Sequence, residues 1–253
     1  MPPTTTRNAA SRSHAVGRPV GVRQQSAQAT KDSILRAAIK VFAKHGFDGG
    51  SVEKISKAAK SYDRMIYYYF GNKQGLFVAA LEEIYRRFNE AESGLDLDLE
   101  KPVEALAAVI RFAFRYYHKH PEFVRLLNTE NLHRGKHIGK SLRAREYSSP
   151  AIEVIDKLLR SGVSKGLFRA DFSARDLYLL IAAAGYFYQS NRHTLSAFLG
   201  ENLEAPEALA HWETFVNDIV LRGISCDGAE TAVAARRPTA DPAMARESLP
   251  SID

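Results

Sequence analysis

From Thr30 onward apolar residues recur every three or four positions, as Ile34, Leu35, Ala38, Val41 and Phe42. That spacing predicts one face of a helix, and Gly46 is suited to close it, because glycine enters a left-handed end without steric cost. Ser51 is placed to cap a second, short helix whose inner face is Val52, Ile55 and Ala59. After a break at Lys60 and Ser61 a third helix is expected to about Phe70, and a fourth from about Lys73 to about Ser93. Prolines punctuate the remainder. Pro102 fits the first turn of a helix reaching His120, Pro121 restarts the chain, Pro150 opens a helix ending at Gly166, and Pro206 opens a last one to about Gly223. Between them Ser173 and Asp176 form an S-x-x-D start for a helix to Asn191. No alternating run is long enough for a sheet, so the expected fold class is all-α.

Two short helices joined tightly, Val52–Ala59 and Tyr62–Phe70, have helix-turn-helix spacing. On the second, Ile66 and Phe70 share a face with Val52, Ile55 and Phe42. Tyr67, Tyr68 and Tyr69 cannot all join that face. Some must point outward, where a ring and a hydroxyl suit sugar and phosphate oxygens and thymine methyls, while one of the three is expected in the core. Lys73 then falls at a helix N-terminus, whose free N–H groups already attract an anion.

Charge supports that reading. The 253-residue chain is net +6. Residues 1–77 hold thirteen Lys/Arg against four Asp/Glu, a net +9, which leaves −3 for the rest. The asymmetry fits a module that meets a polyanion attached to one that does not. Residues 1–29 lack any acidic residue and read as a disordered basic arm; residues beyond Cys226 return to a disordered composition. The arm's "VGRPVG" could lie in a minor groove or remain a solvated tail. No apolar run spans a membrane and no signal block opens the chain, which predicts a soluble cytoplasmic protein without a membrane partner. A single cysteine, Cys226, excludes a disulfide framework. No phosphate loop, nucleophile elbow or dinucleotide fingerprint is present and no acid and base pair stands out, so neither catalysis nor a cofactor is expected.

The stretch "GSVEKISKAAKSYDRMIYYYFGNKQGLF" resembles the DNA-binding half of the TetR family of bacterial transcriptional regulators, specifically over residues 31–77. The resemblance implies a helix-turn-helix domain at 30–77 and a helical ligand-binding and dimerisation domain at 78–225. Its implied partners are a double-stranded DNA operator, a small-molecule inducer and a second copy of the chain. By position it puts Ser51 near a phosphate and Tyr62, Asp63, Arg64 and Met65 at the start of the recognition helix. It places Tyr67, Tyr68 and Tyr69 against bases and backbone, and Lys73 on a phosphate. Where the family has a turn glycine this chain has Lys60, for which a left-handed backbone costs about 1 kcal/mol. Arg64 is the candidate for a guanine edge, with a phosphate contact as the alternative; Asp63 either accepts from cytosine or orients Arg64.

The second half carries two polar and aromatic helices, "RFAFRYYHKH" and "LLNTENLHRGKH". Asn128, Asn131 and His133 among leucines, with walls from Phe112, Tyr116, Phe123 and Tyr186, are the candidate ligand site; each aromatic is alternatively plain core. Glu130, His133 and His137 lack metal-ligand spacing, and Gly135 interrupts any helix through them, so no metal is expected. Dimerisation is expected along 173–191 and 206–223, with Leu177, Leu180, Ile181, Ala184 and Tyr188 on the first and small Ala182 to Gly185 allowing close approach. The segments 120–141 and 190–200 are also similar to a subtype of the family that regulates aromatic and nitrogen-heterocycle catabolism, which implies a planar inducer.

Overall fold

A computed structural model describes residues 20–143, 146 and 149–226. Its helices are α1 (Val20–Gly49), α2 (Val52–Ala59), α3 (Asp63–Phe70), α4 (Lys73–Ser93), α5 (Pro102–Lys119), α6 (Pro121–Leu132), α7 (Ser149–Ser164), α8 (Ala174–Leu199) and α9 (Pro206–Ile224). A 3-10 turn, Ile138–Lys140, follows α6, and one antiparallel bridge joins Phe168 to Ser225.

The starts and stops are those of the local chemistry. Ser51 Oγ accepts from the Lys54 amide at 3.2 Å, Asn72 Oδ1 from Gly75 at 2.8 Å and Ser173 Oγ from Asp176 at 3.0 Å, caps worth about 1 kcal/mol each. Gly46, at φ +68°, breaks the path of α1 where the apolar periodicity ends, and a last turn follows. Lys60 does adopt the left-handed conformation, at φ 51° and ψ 44°. Its amide and that of Ser61 close the end of α2 on Lys57 and Ser56 carbonyls.

One start differs from the expectation. Helix α1 begins at Val20, ten residues before Thr30, so the segment read as a disordered arm is helical from there; residues 1–19 and 227–253 lie outside the described residues. Residues 24–29 are exposed and have no apolar face for periodicity to register. Their Gln and Ala extend a helix already nucleated by the core, and Thr30 and Gln28 add bonds to the Ser26 carbonyl and Asp32. Helix α8 likewise runs past Asn191 to Leu199.

Ile34, Phe42, Ile55, Ile66, Leu76 and Phe77 are fully buried and form the centre of a four-helix unit from α1 to the first half of α4. Gly75 makes that unit tight: a Cβ there would stand 2.2 Å from the Phe70 carbonyl oxygen, so only glycine lets α4 leave so close to the end of α3. The same core continues without a break through Phe88, Tyr116, Tyr117, Phe123 and Leu126. The expected boundary at 77/78 therefore lies inside α4, and α6 lies along α1. A second core joins α5, α7, α8 and α9 around Leu106, Ile110, Leu158 and Phe168.

The helix α8 separates its residues differently from the sequence expectation. Leu177, Ile181 and Tyr188 are buried in their own subunit, with the Tyr188 hydroxyl donating to the Leu203 carbonyl at 2.8 Å. The outward residues are Leu179, Leu180 and Phe187, about half exposed, and on α9 Phe215 and Ile219 are about half exposed as well. A 26-residue helix has apolar residues on both faces, so spacing alone could not assign them. Among the described residues no helix is long and apolar enough to cross a membrane.

Candidate DNA-facing surface and interior ligand site

The recognition helix α3 exposes some expected residues and withdraws others. Tyr62, Arg64, Tyr67 and Tyr68 are exposed, Arg64, Tyr67 and Tyr68 following the i, i+3, i+4 spacing of one helix face. The Arg64 guanidinium stands over the Tyr62 ring at 5.1 Å, which holds it splayed along the surface. Met65 and Tyr69 turn inward and pack on the α1–α4 core, Tyr69 edge-on to Tyr68 at 5.0 Å. Asp63 does not orient Arg64. Its carboxylate accepts from the buried Ser56 hydroxyl, tying the start of α3 to α2. Ser51 spends one lone pair on its helix cap and keeps its hydroxyl proton for an outside acceptor.

Lys73 sits half-buried in the first turn of α4. Its ammonium donates to the Asp48 carbonyl at 3.2 Å and lies 4.6 Å from the Phe47 ring centre, which leaves two of its three N–H groups for an anion. Asp48 in turn reaches α6: its Oδ2 is 3.5 Å from His133 Nε2. The Phe47 ring touches His133 and His137 at 5.6 and 4.4 Å. His133 therefore stands against the DNA-binding unit, apart from the asparagines with which the sequence grouped it. Its Nδ1 is 2.8 Å from the Thr129 carbonyl.

Beyond α6, Arg134 and Gly135 have positive φ, which ends the helix as Gly135 implied. The turn folds back so that Glu130 accepts the His137 and Ile138 amides at 2.7 and 2.8 Å and meets His137 Nδ1 at 2.7 Å. Both side chains are almost fully buried, and every strong acceptor of Glu130 is matched. Among the described residues no group of three or more His, Cys, Asp or Glu is arranged to hold a metal ion.

Four polar groups meet between α6 and α8. The Tyr186 hydroxyl donates to Asn128 Oδ1, Ser190 Oγ donates to the same oxygen at 3.0 Å, and Asn131 Nδ2 reaches Tyr186 at 3.4 Å. Asn131 is exposed and its bond is long, so it stands at the rim while Asn128 is the inner member. Phe112, Tyr116 and Phe123 gather around Phe88 of α4, at 5.4, 4.9 and 5.6 Å between ring centres. Three of the four expected wall residues thus form one cluster, in which Tyr116 and Phe123 are buried as core residues are, while Tyr186 stands apart with Asn128.

Deeper in, the structure adds residues that the sequence did not flag. Burial pushes the Tyr85 hydroxyl to about 12, with Tyr178, Tyr186 and Glu130 adding to it. Tyr117 moves further the same way by burial, and it feels Tyr178, Tyr85, Glu92 and Tyr186. Glu92 is 6% exposed, and burial alone raises its carboxyl to about 7. Tyr85 thus feels Tyr178 and Tyr186, and Glu92 acts on both Tyr117 and Tyr178.

Residues 34–80 match the family described as bacterial regulatory proteins, tetR family, and residues 102–220 match the tetracyclin repressor-like C-terminal domain. The HTH-type transcriptional repressor NicS of Pseudomonas putida is 52% identical over 82% of this chain and 98% of its own length. The chain belongs to the TetR family. It is a DNA-binding transcriptional regulator of that family. The HTH-type transcriptional regulator RutR of Escherichia coli is 26% identical over 81% of the chain and 94% of its own. Among solved structures, the transcriptional regulator SCO4942 of Streptomyces coelicolor shares the fold with a TM-score of 0.58 at 20% identity, covering 77% of this chain and 98% of that one. FadR of Bacillus halodurans, a fatty acid degradation regulator, superposes with a TM-score of 0.56 at 23% identity, covering 76% and 98%.

Proposed function

We propose that this TetR-family chain is a cytoplasmic repressor that binds a palindromic operator as a homodimer and releases it when a small planar molecule enters the interior between α4 and α8. The observation that carries the reading is the position of α6. One stretch of it bonds through Asn128 to Tyr186 and Ser190, and its end presses His133 on Asp48 and Phe47, which also hold Lys73. A molecule that displaces Tyr186 from Asn128 acts on the same rigid element that seats the DNA-binding unit, and it favours whichever arrangement it binds better. Repression is taken from the relation to NicS, named as a repressor.

In this reading Arg64, Tyr62, Tyr67 and Tyr68 meet the major groove, Ser51 and Lys73 meet phosphates, and Asp63, Met65 and Tyr69 shape α3 from behind. The exposed stripe of Leu180, Phe187, Phe215 and Ile219 supplies a self-complementary four-helix contact. The test is selection of bound fragments from random DNA on the purified protein, then anisotropy on the selected site. Arg64→Ala is expected to lose about 1–3 kcal/mol on the cognate site and to relax preference at one base pair. Asn128→Leu is expected to keep operator affinity and lose release by small aromatic molecules. Selection that yields no two-fold sequence overturns the operator reading.

A further inference from the structure

The segment after α6 is basic, in a half of the chain that is not. Residues 133–143 hold Arg134, Lys136, Lys140 and Arg143 and no Asp or Glu, whereas residues 78–253 together are net −3. Arg143 pairs with Glu146, and Ser141, next to Lys140, donates to Glu82. Arg134 and Lys136 differ. Both are exposed, and neither side chain forms an ion pair or hydrogen bond with a described residue.

The turn that carries these two cations is a built one. Arg134 and Gly135 take the left-handed conformation, and the amides of Arg134, Gly135 and Lys136 donate to the carbonyls of Asn131, Glu130 and His133. The buried Glu130 carboxylate holds the far side of the turn through the His137 and Ile138 amides. The backbone therefore presents both side chains from a fixed place.

That place adjoins the DNA-facing surface. Side chains from three elements converge on the end of α1. Lys54 of α2 donates to the Gly49 carbonyl at 2.9 Å, and Lys73 of α4 donates to the Asp48 carbonyl at 3.2 Å. His133, the residue before Arg134, stands 3.5 Å from the Asp48 carboxylate. The Phe47 ring touches both neighbours, with its centre 4.6 Å from the Lys73 ammonium and 5.6 Å from the His133 ring. Attraction to phosphate persists over about 8 Å at physiological salt, so a cation this near Lys73 feels the same backbone. A DNA strand presents a charge about every 3.4 Å along its axis, which gives adjacent cations separate phosphates to meet.

We propose that the turn after α6 is a second contact with the operator backbone, in which Arg134 and Lys136 bind phosphates beside the one assigned to Lys73. The regulatory half then grips DNA together with the helix-turn-helix, and a displacement of α6 acts on DNA directly. The proposal rests on the reading of Lys73 as a phosphate contact. Its chemistry is charge alone, and no base is read.

The test is phosphate ethylation interference with a salt titration of affinity, on the full chain and the selected DNA fragment. Arg134→Gln/Lys136→Gln is expected to lose one or two phosphates per half-site, adjoining those lost by Lys73→Ala. Its affinity at 0.15 M salt is expected to fall about five- to thirtyfold on selected and scrambled duplexes alike, and its slope of log affinity against log salt to fall by about two. Lys157→Gln/Arg175→Gln removes the same charge from exposed positions of α7 and α8 and is expected to leave the footprint unchanged. Arg134→Lys/Lys136→Arg keeps the charge and is expected to keep both footprint and slope; loss of binding there marks a structural role for the turn and overturns the proposal. An unchanged footprint in Arg134→Gln/Lys136→Gln, or a loss of slope no larger than that of the α7 and α8 control, overturns it as well. Phosphates lost in Lys73→Ala but not in the turn variant sink the second contact and leave the clamp standing; the reverse pattern keeps the turn on DNA and removes Lys73 from the clamp.

Discussion

Replacing Glu92 by glutamine should stabilise the protein, and only above a certain pH. In the unfolded chain its carboxyl titrates near the ordinary 4.5, whereas burial in the fold raises it to about 7. Between those values the folded protein holds a proton that the unfolded chain has released. Unfolding then releases a proton, so stability falls as pH rises through this window and levels off above about 7. The shift corresponds to about 3 kcal/mol at pH 8, absent at pH 4, which for a chain of this size is roughly 6–12 °C in Tm. Glutamine cannot ionise, so Glu92→Gln should match the wild type at low pH and exceed it by that margin at high pH. Thermal or urea unfolding of both proteins across this range, at equal protomer concentration, isolates the term, because all other titrating groups cancel in the difference. A gap that does not change with pH, or a variant less stable at pH 8, would refute the reasoning.

Three further outcomes are expected. Gly75→Ala places a Cβ against the Phe70 carbonyl and should cost about 1–3 kcal/mol by forced separation of α3 and α4, with loss of operator binding before loss of helix content in circular dichroism. Phe187→Glu on the outward stripe of α8 should convert a dimer to monomer in light scattering at micromolar concentration, whereas Leu177→Ala, on the inner face, should lower Tm instead. Glu130→Ala leaves two amides and His137 without their acceptor in a buried turn and should destabilise the fold by about 3–5 kcal/mol, read by urea unfolding.

The sequence was most informative where a property is local. Caps at Ser51 and Ser173, prolines at 102, 121 and 206, and the left-handed Lys60 each depend on a few adjacent residues, and each lies where its chemistry placed it. What it did not carry was the partner of a side chain. Asp63 looked free to face a base because Ser56, seven residues back, becomes its donor only when α2 and α3 fold together. His133 looked like a neighbour of Asn128, yet the bend of the chain after α6 turns it toward Asp48. Glu92 sits in "FNEAES", which reads as the solvated end of a helix; its burial comes from other helices that no local pattern announces.

The close pass at Gly75 has a mechanical meaning. With 21 residues, α4 is about 31 Å long, so a tilt of about 4° at its inner end carries its first turn through about 2 Å. A joint with clearance would absorb that motion. The contact between α4 and the Phe70 carbonyl leaves no room even for a Cβ, so in the proposed reading the displacement passes into α3. In the proposed dimer the two recognition helices move in opposite senses, changing their separation by about 4 Å against a duplex repeat of about 34 Å. That is more than a hydrogen bond tolerates, so under the proposed function a molecule that shifts the inner end of α4 by less than the width of one methyl group would be enough to put both halves out of step with the groove.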